Sequence, residues 1–269
     1  MSGRGVLLVL GLLVVCGPLG AEEPIPTREM NAINWIDFRK WVPSEIRTVL
    51  LPVGTLEAHG VVNNGADNTV PEAMARDLAE KVNAMIAPTI HYGVTTSLSA
   101  FPGSFRVDPE VFKAYSREVI AGLTRSGFKN IIVINGHGPN FPLLQEACAE
   151  VAEKTGARTL VFNWWTHTAD VTRKIYGTEG GHAGVNENAA VMATNPEYVH
   201  RDYYRPEQAW WREEGVAAYP YPSSIILYKR GEGLPDFDPD KAERFYAAVL
   251  DKLEKLILTT IEKWELAGL

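Results

Sequence analysis

The feature that most constrains the fold is a pair of short runs that are apolar along almost their whole length. Residues 49–53 and 130–134 consist mainly of Val, Leu and Ile and contain no charged side chain. A strand that is apolar at successive rather than alternate positions is typical of a parallel sheet covered on both faces. Helical patterns alternate with such runs along the chain, so we predict an α/β fold with a mostly parallel sheet.

Further elements are predicted from side-chain spacing and composition. Residues 71–86 carry apolar side chains at helical intervals, which predicts a helix that starts close to Pro71. The residues that follow, 87–92, indicate a short strand. Residues 195–237 are rich in aromatic residues and proline, and we expect them to form a long irregular loop.

Two helix starts are predicted from local signals. The pairs Asp108-Pro109 and Asp238-Pro239 each combine an N-cap residue with a proline at the first helical position. The first pair predicts a helix that stops at Gly127, and the second predicts a long amphipathic helix that runs to about residue 266.

The N-terminus has the pattern of a secretory signal. Arg4 is followed by the uncharged residues 5–20, and small residues stand at positions 20 and 21. We predict that residues 1–21 form a signal peptide that is removed, leaving residues 22–269 as a single domain that is periplasmic or secreted. The run is short for a membrane span, so we expect no stable membrane insertion after removal, although an uncleaved anchor is the alternative.

Composition narrows the possible functions. The formal net charge of -7 over 269 residues, without any basic run, argues against a nucleic-acid-binding protein. Cys148 would be the only cysteine of the mature chain, because Cys16 lies in the predicted signal peptide. No intramolecular disulfide could then form. The helical pattern around Cys148 favours a buried thiol over a catalytic nucleophile.

A cluster of potential metal ligands follows the first apolar run. Glu57 and His59 are two residues apart, so on an extended segment their side chains point the same way. Asp67 comes after a loop whose glycines allow the chain to fold back on them. Glu, His and Asp form a suitable ligand set for a divalent transition metal. The alternative is an ordinary polar loop after a buried strand.

Two later stretches add candidates of the same chemical type. His137 follows the run at 130–134, and the carboxyl ends of parallel strands meet at one edge of a sheet, so His137 and Glu57 are predicted to share a site. His182 and Glu187 are five residues apart across a glycine-rich helix start. The alternatives are a hydrogen-bonded structural role for His137 and a solvated first-turn carboxylate for Glu187.

Five short motifs occur in order along the chain. In one-letter code they are LPVGTLEAHG from Leu51, GAD ending at Asp67, FPG from Phe101, NGHGPN from Asn135 and HAGVNE from His182. Together they span roughly half of the chain and resemble the creatininase family of metal-dependent amidohydrolases.

The resemblance implies a three-layer α/β/α fold, a metal centre and a homo-oligomer, hexamers being among the family's assemblies. It implies that a metal-activated water hydrolyses an amide C–N bond in a small, often cyclic, substrate, with one or two Zn or Mn ions per chain. By position, the matching metal ligands are Glu57, His59, Asp67, His137 and Glu187, with Asp67 in the place of the bridging carboxylate. His182 matches a histidine near the reacting group, and we predict His182 and Glu187 as the catalytic residues.

The sequence also departs from creatininase itself. Creatininase has a glutamate two residues after the histidine of the Asn-Gly-His motif, where this chain has Pro139. Proline offers no side-chain ligand, so a full second metal position depends on Glu187. The His-Leu-Pro of the first loop is replaced by residues 62–64, Val-Asn-Asn, and this loop is one residue shorter. Creatinine is therefore not expected as the substrate.

Two functional hypotheses follow. The first is a metal-dependent amidohydrolase; the second is an exported, non-catalytic protein that binds a metal or another ligand on the same fold. A serine hydrolase is disfavoured because the chain has no Gly-x-Ser-x-Gly elbow. Four tryptophans stand at positions 164, 165, 210 and 211. We expect them to pack in the core or at a subunit interface rather than to line the substrate pocket.

Overall fold

A computed structural model describes residues 24–269, so the predicted signal peptide lies outside the described residues. The main sheet has four strands: β1 (Thr48–Val53), β2 (Ala84–Ile86), β3 (Asn130–Asn135) and β4 (Arg158–Asn163). Their order in space is β2-β1-β3-β4, and each of these pairings is parallel. The predicted α/β class with a mostly parallel sheet is confirmed.

Helices cover both faces of this sheet. In chain order they are α1 (Trp35–Trp41), α2 (Ala66–Ala79), α3 (Pro109–Arg125), α4 (Phe141–Thr155), α5 (Trp164–His167), α6 (Ala169–Tyr176), α7 (Val185–Thr194) and α8 (Pro239–Leu266). One apolar cluster joins α2, α7 and α8 to one face of the sheet, and a second cluster joins α3 and α4 to the other. The result is the three-layer α/β/α arrangement.

Successive residues of the central strands point into the two clusters in turn. Leu50 of β1 belongs to the cluster under α2 and α8, whereas Val49 belongs to the cluster under α3 and α4. In β3, Ile132 and Ile131 divide in the same way. Because side chains alternate across a strand and both faces are covered, every position of these strands is buried, and the polar residues Thr48, Asn130 and Asn135 stand only at the strand ends.

The predicted helix starts are present where the sequence signals lie. The Asp108 side chain accepts hydrogen bonds from the backbone N–H groups of Glu110 and Val111 at the start of α3. The Asp238 side chain accepts one from Lys241 at the start of α8. Among residues 24–269, no helix is both long and apolar enough to cross a membrane.

The start of α2 differs from the prediction. The helix begins at Ala66, and Pro71 lies inside it rather than in its first turn. Proline is favoured in the first turn of a helix, so the predicted start lay too late in the chain. In α2, Pro71 lies inside the helix and has no N–H to donate to the carbonyl of Asp67 four residues earlier. The real start places Asp67 in the first turn, beside the ends of β1 and β3.

The strand after α2 was also misplaced. β2 pairs residues Ala84–Ile86 with the start of β1, whereas residues 87–92 form only one bridge to that strand, between Ile90 and Val53. Pro88 lacks the N–H group that a ladder requires, which explains why regular pairing stops before it.

The prediction of a long irregular loop at residues 195–237 was wrong in one respect. This segment contributes two short strands, β6 (Ala209–Trp211) and β7 (Ile225–Leu227), to a second sheet. The third strand, β5 (Gly181–His182), contains one of the predicted site residues. In the order β5-β7-β6, β7 runs antiparallel to β5 and parallel to β6. Strands of two or three residues are too short to leave a periodic pattern in the sequence.

Candidate metal centre

The structure brings all six predicted site residues together at the carboxyl ends of β1 and β3. Each lies in a loop or near the end of a helix or strand. Five of them are buried, and His182 is partly buried. They are Glu57 and His59 after β1, Asp67 in the first turn of α2, His137 after β3, His182 in β5 and Glu187 in the first turn of α7. The parallel topology thus produces the shared site that the sequence predicted.

One group of ligand atoms is formed by Glu57, Asp67 and His137. Nδ1 of His137 lies 2.8 Å from Oδ2 of Asp67 and 3.2 Å from Oε1 of Glu57. All three side chains are buried, and their ligand atoms lie within 4.8 Å of one another. Two carboxylate oxygens and one imidazole nitrogen at this separation can converge on a single divalent ion.

A second group is formed by His59, Asp67 and Glu187. Nε2 of His59 lies 3.0 Å from Oδ1 of Asp67 and 3.6 Å from Oε2 of Glu187. Asp67 therefore offers one carboxylate oxygen to each group. Glu57 and His59 are only two residues apart, yet they belong to different groups in this arrangement. Their predicted proximity is correct, although each belongs to a different one of these two groups.

His182 lies against both groups. Its Nδ1 atom is 3.5 Å from Oε1 of Glu57 and 4.0 Å from Oε2 of Glu187, and its ring centroid is 4.2 Å from that of His59. Glu57, His59 and His182 form a third possible ligand set. His182 is thus placed either to bind a metal ion or to exchange a proton with a group held there.

The three imidazole rings are oriented in the same way. One ring nitrogen of each donates to a backbone carbonyl: His59 Nδ1 to Glu57 at 2.9 Å, His137 Nε2 to Val94 at 3.1 Å, and His182 Nε2 to Ala58 at 2.8 Å. A carbonyl only accepts, so these nitrogens carry the hydrogen. In each neutral ring the other nitrogen presents its lone pair to the carboxylates, as metal-binding histidines do.

One buried atom, Nε2 of His59, tests whether a metal ion fits this site. Nε2 of His59 is buried and forms no well-directed hydrogen bond within residues 24–269. Its contact with Oδ1 of Asp67 at 3.0 Å is poorly directed, which leaves the buried nitrogen incompletely satisfied, and a metal ion between His59, Asp67 and Glu187 would satisfy it. The oxygen and nitrogen donors suit zinc or manganese. The residues present therefore fit a divalent transition metal.

Glu187 is held in place by the backbone around it. The N–H group of Ala183 donates to Oε2 of Glu187 at 2.7 Å, and the N–H group of Gly181 donates to the side chain of Asn186 at 2.8 Å. Ala183 has a φ of 52°, a left-handed conformation that a non-glycine residue rarely adopts. This turn directs the Glu187 carboxylate towards His59 rather than towards solvent.

Buried carboxylates shift the pKa values of two histidines. Burial alone would lower the pKa of His59, but the carboxylate of Asp67, assisted by Glu187 and Glu57, outweighs it and raises the pKa to about 10. The pKa of His137 is likewise raised against the effect of burial, chiefly by Glu57 and Asp67. Without a metal ion, protons on these rings balance the negative charge of the carboxylates.

The pKa shifts of Glu187 and His182 favour the neutral form of each group. Burial raises the pKa of the Glu187 carboxyl to about 8, with a further contribution from Asp67 against the opposing effect of His59. Burial, followed by the neighbouring His59, lowers the pKa of His182 to about 4. His182 is therefore neutral at neutral pH, while His59 and His137 hold protons when no metal is bound.

A cavity of about 220 Å³ opens on the two ligand groups. Several residues of its outer wall were not predicted from the sequence, and they come from the segment predicted as a loop: Arg212, Tyr221, Ile226 and Tyr228. No periodic signal marked them. Of the four tryptophans, Trp165 lines this cavity, contrary to the prediction, whereas Trp164 is buried in the core as predicted.

The sequence matches the model of one protein family, described as creatinine amidohydrolase, over residues 31–257. The chain is 26% identical over 192 residues to a creatinine amidohydrolase of Pseudomonas putida, an alignment that covers 64% of this chain and 74% of the relative. It is 27% identical over 248 residues to a 3-dehydro-scyllo-inosose hydrolase of Thermotoga maritima, covering 80% of this chain and 78% of the relative.

Solved structures confirm the fold. A crystal structure of creatinine amidohydrolase (creatininase) superposes with a TM-score of 0.74 at 20% sequence identity, covering 86% of this chain and 97% of that one. A creatininase structure with Mn gives a TM-score of 0.72 at 21% identity, covering 86% of this chain and 97% of that one. The three-layer arrangement described above is thus the creatininase fold.

Proposed function

Because the chain belongs to the creatininase family, we propose that it is a metal-dependent amidohydrolase that cleaves the C–N bond of a small, cyclic amide. The observation that carries this proposal is the position of Asp67, which offers one carboxylate oxygen to His137 and the other to His59. A carboxylate shared between two ligand groups is suited to a two-metal hydrolytic site.

We place one metal position at each of the two ligand groups. Glu57, Asp67 and His137 would hold one ion, and His59, Asp67 and Glu187 would hold the other, each zinc or manganese. When bound, a divalent ion lowers the pKa of a coordinated water and polarises a carbonyl group. The histidine hydrogen bonds to backbone carbonyls keep the ligand nitrogens oriented before the metal arrives.

We assign to His182 the transfer of a proton from the attacking water to the leaving nitrogen. Its Nε2–H is engaged by the carbonyl of Ala58, so Nδ1 is free to accept a proton from the attacking water. As the amide C–N bond breaks, the same nitrogen returns the proton to the leaving nitrogen, which stays attached to the opened ring in neutral form while the carbonyl carbon becomes a carboxyl group. His182 lies 3.5 Å from Glu57 and 4.0 Å from Glu187, close enough to serve both positions.

Glu187 is proposed to replace the ligand that Pro139 cannot supply. Pro139 lines the cavity two residues after His137, yet its side chain has no donor atom. The carboxylate of Glu187 reaches the same centre from α7, at 3.6 Å from His59. Its raised pKa also makes it a second group able to hold a proton when no metal is bound.

The substrate is proposed only as a class. The similar proteins named above act on creatinine and on 3-dehydro-scyllo-inosose, and at 26% and 27% identity neither substrate transfers to this chain. A cavity of about 220 Å³ accommodates a small molecule rather than a long peptide. A small lactam or cyclic ureide fits these limits and the hydrolytic chemistry of the site.

We also propose that the protein is a homo-oligomer. Four large apolar side chains are at least half exposed and lie near one another around α3: Tyr92, Phe105, Val111 and Tyr115. An exposed apolar patch of this kind is typical of an interaction surface. Light scattering on the purified protein tests the proposal, and a monomer at all concentrations would contradict it.

Export remains a proposal that rests on residues 1–21 alone. N-terminal sequencing of the protein recovered from its natural host tests it. A mature chain that begins near residue 22, found outside the cytoplasm, is expected. A cytoplasmic chain that still begins at Met1 would contradict the proposal.

Turnover of a panel of lactams and cyclic ureides tests the proposed activity. We expect hydrolysis by protein loaded with zinc or manganese, and loss of hydrolysis after chelation. The variant His137→Ala should lose activity by about two orders of magnitude or more, since it removes a ligand. His200→Ala is the matched control, because His200 is exposed and, among residues 24–269, its ring stacks on Tyr203 alone.

The alternative function predicts a different outcome. If the protein binds metal at the same residues but hydrolyses no member of the panel, a non-catalytic binding role on this fold is favoured instead. If neither metal binding nor hydrolysis is found, the assignment of the six residues is itself wrong.

A further inference from the structure

We propose that Arg212 binds a carboxylate of the substrate, so that the enzyme acts on small amides that carry a negative charge. The inference rests on the proposed function and specifies its substrate class. It follows from the way in which the second sheet builds the outer wall of the cavity.

The topology of the second sheet places Arg212 at the cavity. Strands β6 and β7 are parallel, with Trp211 opposite Leu227, so the residues that follow them, Arg212 and Tyr228, emerge side by side at the same edge. The backbone N–H of Arg212 still donates to Leu227 at 2.8 Å, which continues the ladder to this residue. Its position is therefore fixed by the sheet.

The same register connects this edge to the metal centre. His182 of β5 pairs with Ile226 of β7, and Ile226 pairs in turn with Trp210 of β6. Side chains two residues apart on a strand share a face, so Tyr228 and Arg212 extend the face that carries His182. His182, Ile226, Tyr228 and Arg212 all line the cavity.

Tyr228 lines the cavity together with Glu187 and Arg212. Partial burial is the main cause that raises the pKa of its phenol to about 12; the Glu187 carboxylate raises it further, and the guanidinium of Arg212 opposes this. The charges of the metal ligand Glu187 and of Arg212 therefore both act on this phenol.

The charge of Arg212 is not neutralised by the protein. Within residues 24–269, no carboxylate lies within salt-bridge distance of its guanidinium, and the adjacent Glu213 is paired with Arg230 at 2.8 Å. Among the described residues that line the cavity, Arg212 is the only lysine or arginine. The cavity therefore has three carboxylates and the proposed metal ions at its base and one unpaired guanidinium at its outer wall.

This arrangement favours a substrate that has an amide at one end and a carboxylate at the other. The amide must lie at the metal centre, and a guanidinium is the side chain best suited to a planar carboxylate, which it binds through two parallel hydrogen bonds. Arg212 and the metal ligands line one cavity of about 220 Å³, so the amide and the carboxylate must belong to one small molecule. A lactam or cyclic ureide that bears a carboxylate meets both requirements.

Binding of matched pairs tests the inference. The probes are pyroglutamate against pyrrolidinone and dihydroorotate against dihydrouracil, since each pair shares its ring amide and differs by a carboxylate. Dissociation constants are measured by calorimetry on metal-loaded protein, for the native sequence, Arg212→Gln and Arg212→Lys. Arg230→Gln is the matched control, because it removes an equal charge from the turn that follows β7 without altering the cavity lining.

We expect the native protein to bind the carboxylated member of at least one pair about tenfold or more tightly, as for a hydrogen-bonded charge pair. Arg212→Gln should abolish most of this preference, Arg212→Lys should retain part of it, and Arg230→Gln should retain it in full. A native protein without any preference would overturn the inference. A preference that Arg212→Gln leaves unchanged would also overturn it, since the metal would then hold the carboxylate. Failure of the proposed function would appear separately, as binding without hydrolysis of any probe.

Discussion

Gly136 packs so closely against Asp67 that a Cβ atom on Gly136 would overlap the carbonyl oxygen of Asp67. Gly54 meets the same carbonyl from the end of β1. Pro71 cannot donate to this carbonyl, so the group is free to lie against two glycines. The start of α2 is thus seated between the ends of β1 and β3, which places the Asp67 carboxylate between its two histidine partners.

Substitution of Gly136 by alanine should disturb the site as well as the fold. The new methyl group must push α2 away, so we expect a loss of about 1–3 kcal/mol in the free energy of unfolding, as for other overpacked sites. Metal affinity should fall with it, because Asp67 is displaced. Chemical denaturation and metal titration measure the two effects. Gly122→Ala is the control: Gly122 lies in α3 with space around it, so stability should stay equal or increase.

Metal affinity should rise with pH. In the metal-free site the pKa of His59 is raised to about 10 and that of Glu187 to about 8, so both hold protons at neutral pH that a metal ion must displace. Affinity is therefore weaker at low pH and increases as the pH rises, with release of roughly one proton or more per ion. Calorimetric titration with zinc in buffers of different ionisation enthalpy counts these protons. Affinity that is independent of pH, without proton release, would contradict the assignment of ligands.

The hydroxyl of Tyr246 should contribute to stability but not to the metal site. It donates to Oδ2 of Asp77 at 2.8 Å and so links α8 to α2. We expect Tyr246→Phe to cost about 1 kcal/mol, because exposed Asp77 can bind water instead, and to lower Tm by roughly 2–4 °C. Metal content should be unchanged. Tyr203→Phe is the control, since Tyr203 is exposed and donates no hydrogen bond within the described residues. An equal loss in both variants would contradict this role.

The thiol of Cys148 should be unreactive in the folded protein. Burial raises its pKa to about 12, so the thiolate that reacts with aromatic disulfide reagents is scarce near pH 8. We expect no reaction in the native state and complete reaction after denaturation. The denatured protein should yield one thiol if residues 1–21 have been removed and two if Cys16 is retained. Rapid reaction of the native protein would contradict the burial of Cys148.

Much of the architecture could be predicted because its signals are local. Asp238-Pro239 fixes the start of α8, and the apolar run of β3 indicates a strand with both faces covered. Once parallel strands are inferred, their carboxyl ends must share one edge. This is why His137 and Glu57, about eighty residues apart in sequence, could be assigned to one site.

The remaining features depend on contacts that no local pattern encodes. Glu57 and His59 follow the strand on an irregular segment, where backbone hydrogen bonds such as that from Glu57 N–H to the carbonyl of Asn64 set their direction. They consequently join different partners. Arg212 could not be identified, because it follows a strand of three residues in a segment that lacks any periodic signal.

Metal content per chain, on protein purified without chelator, is the measurement that tests the two-metal site most directly. We expect two equivalents of zinc or manganese in the native protein. We expect about one in His137→Ala and about one in Glu187→Gln, because these residues belong to different ligand groups that share Asp67. A native protein with one equivalent that Glu187→Gln leaves unchanged would contradict it. In that case Pro139 would have removed the second position, and Glu187 would not have restored it.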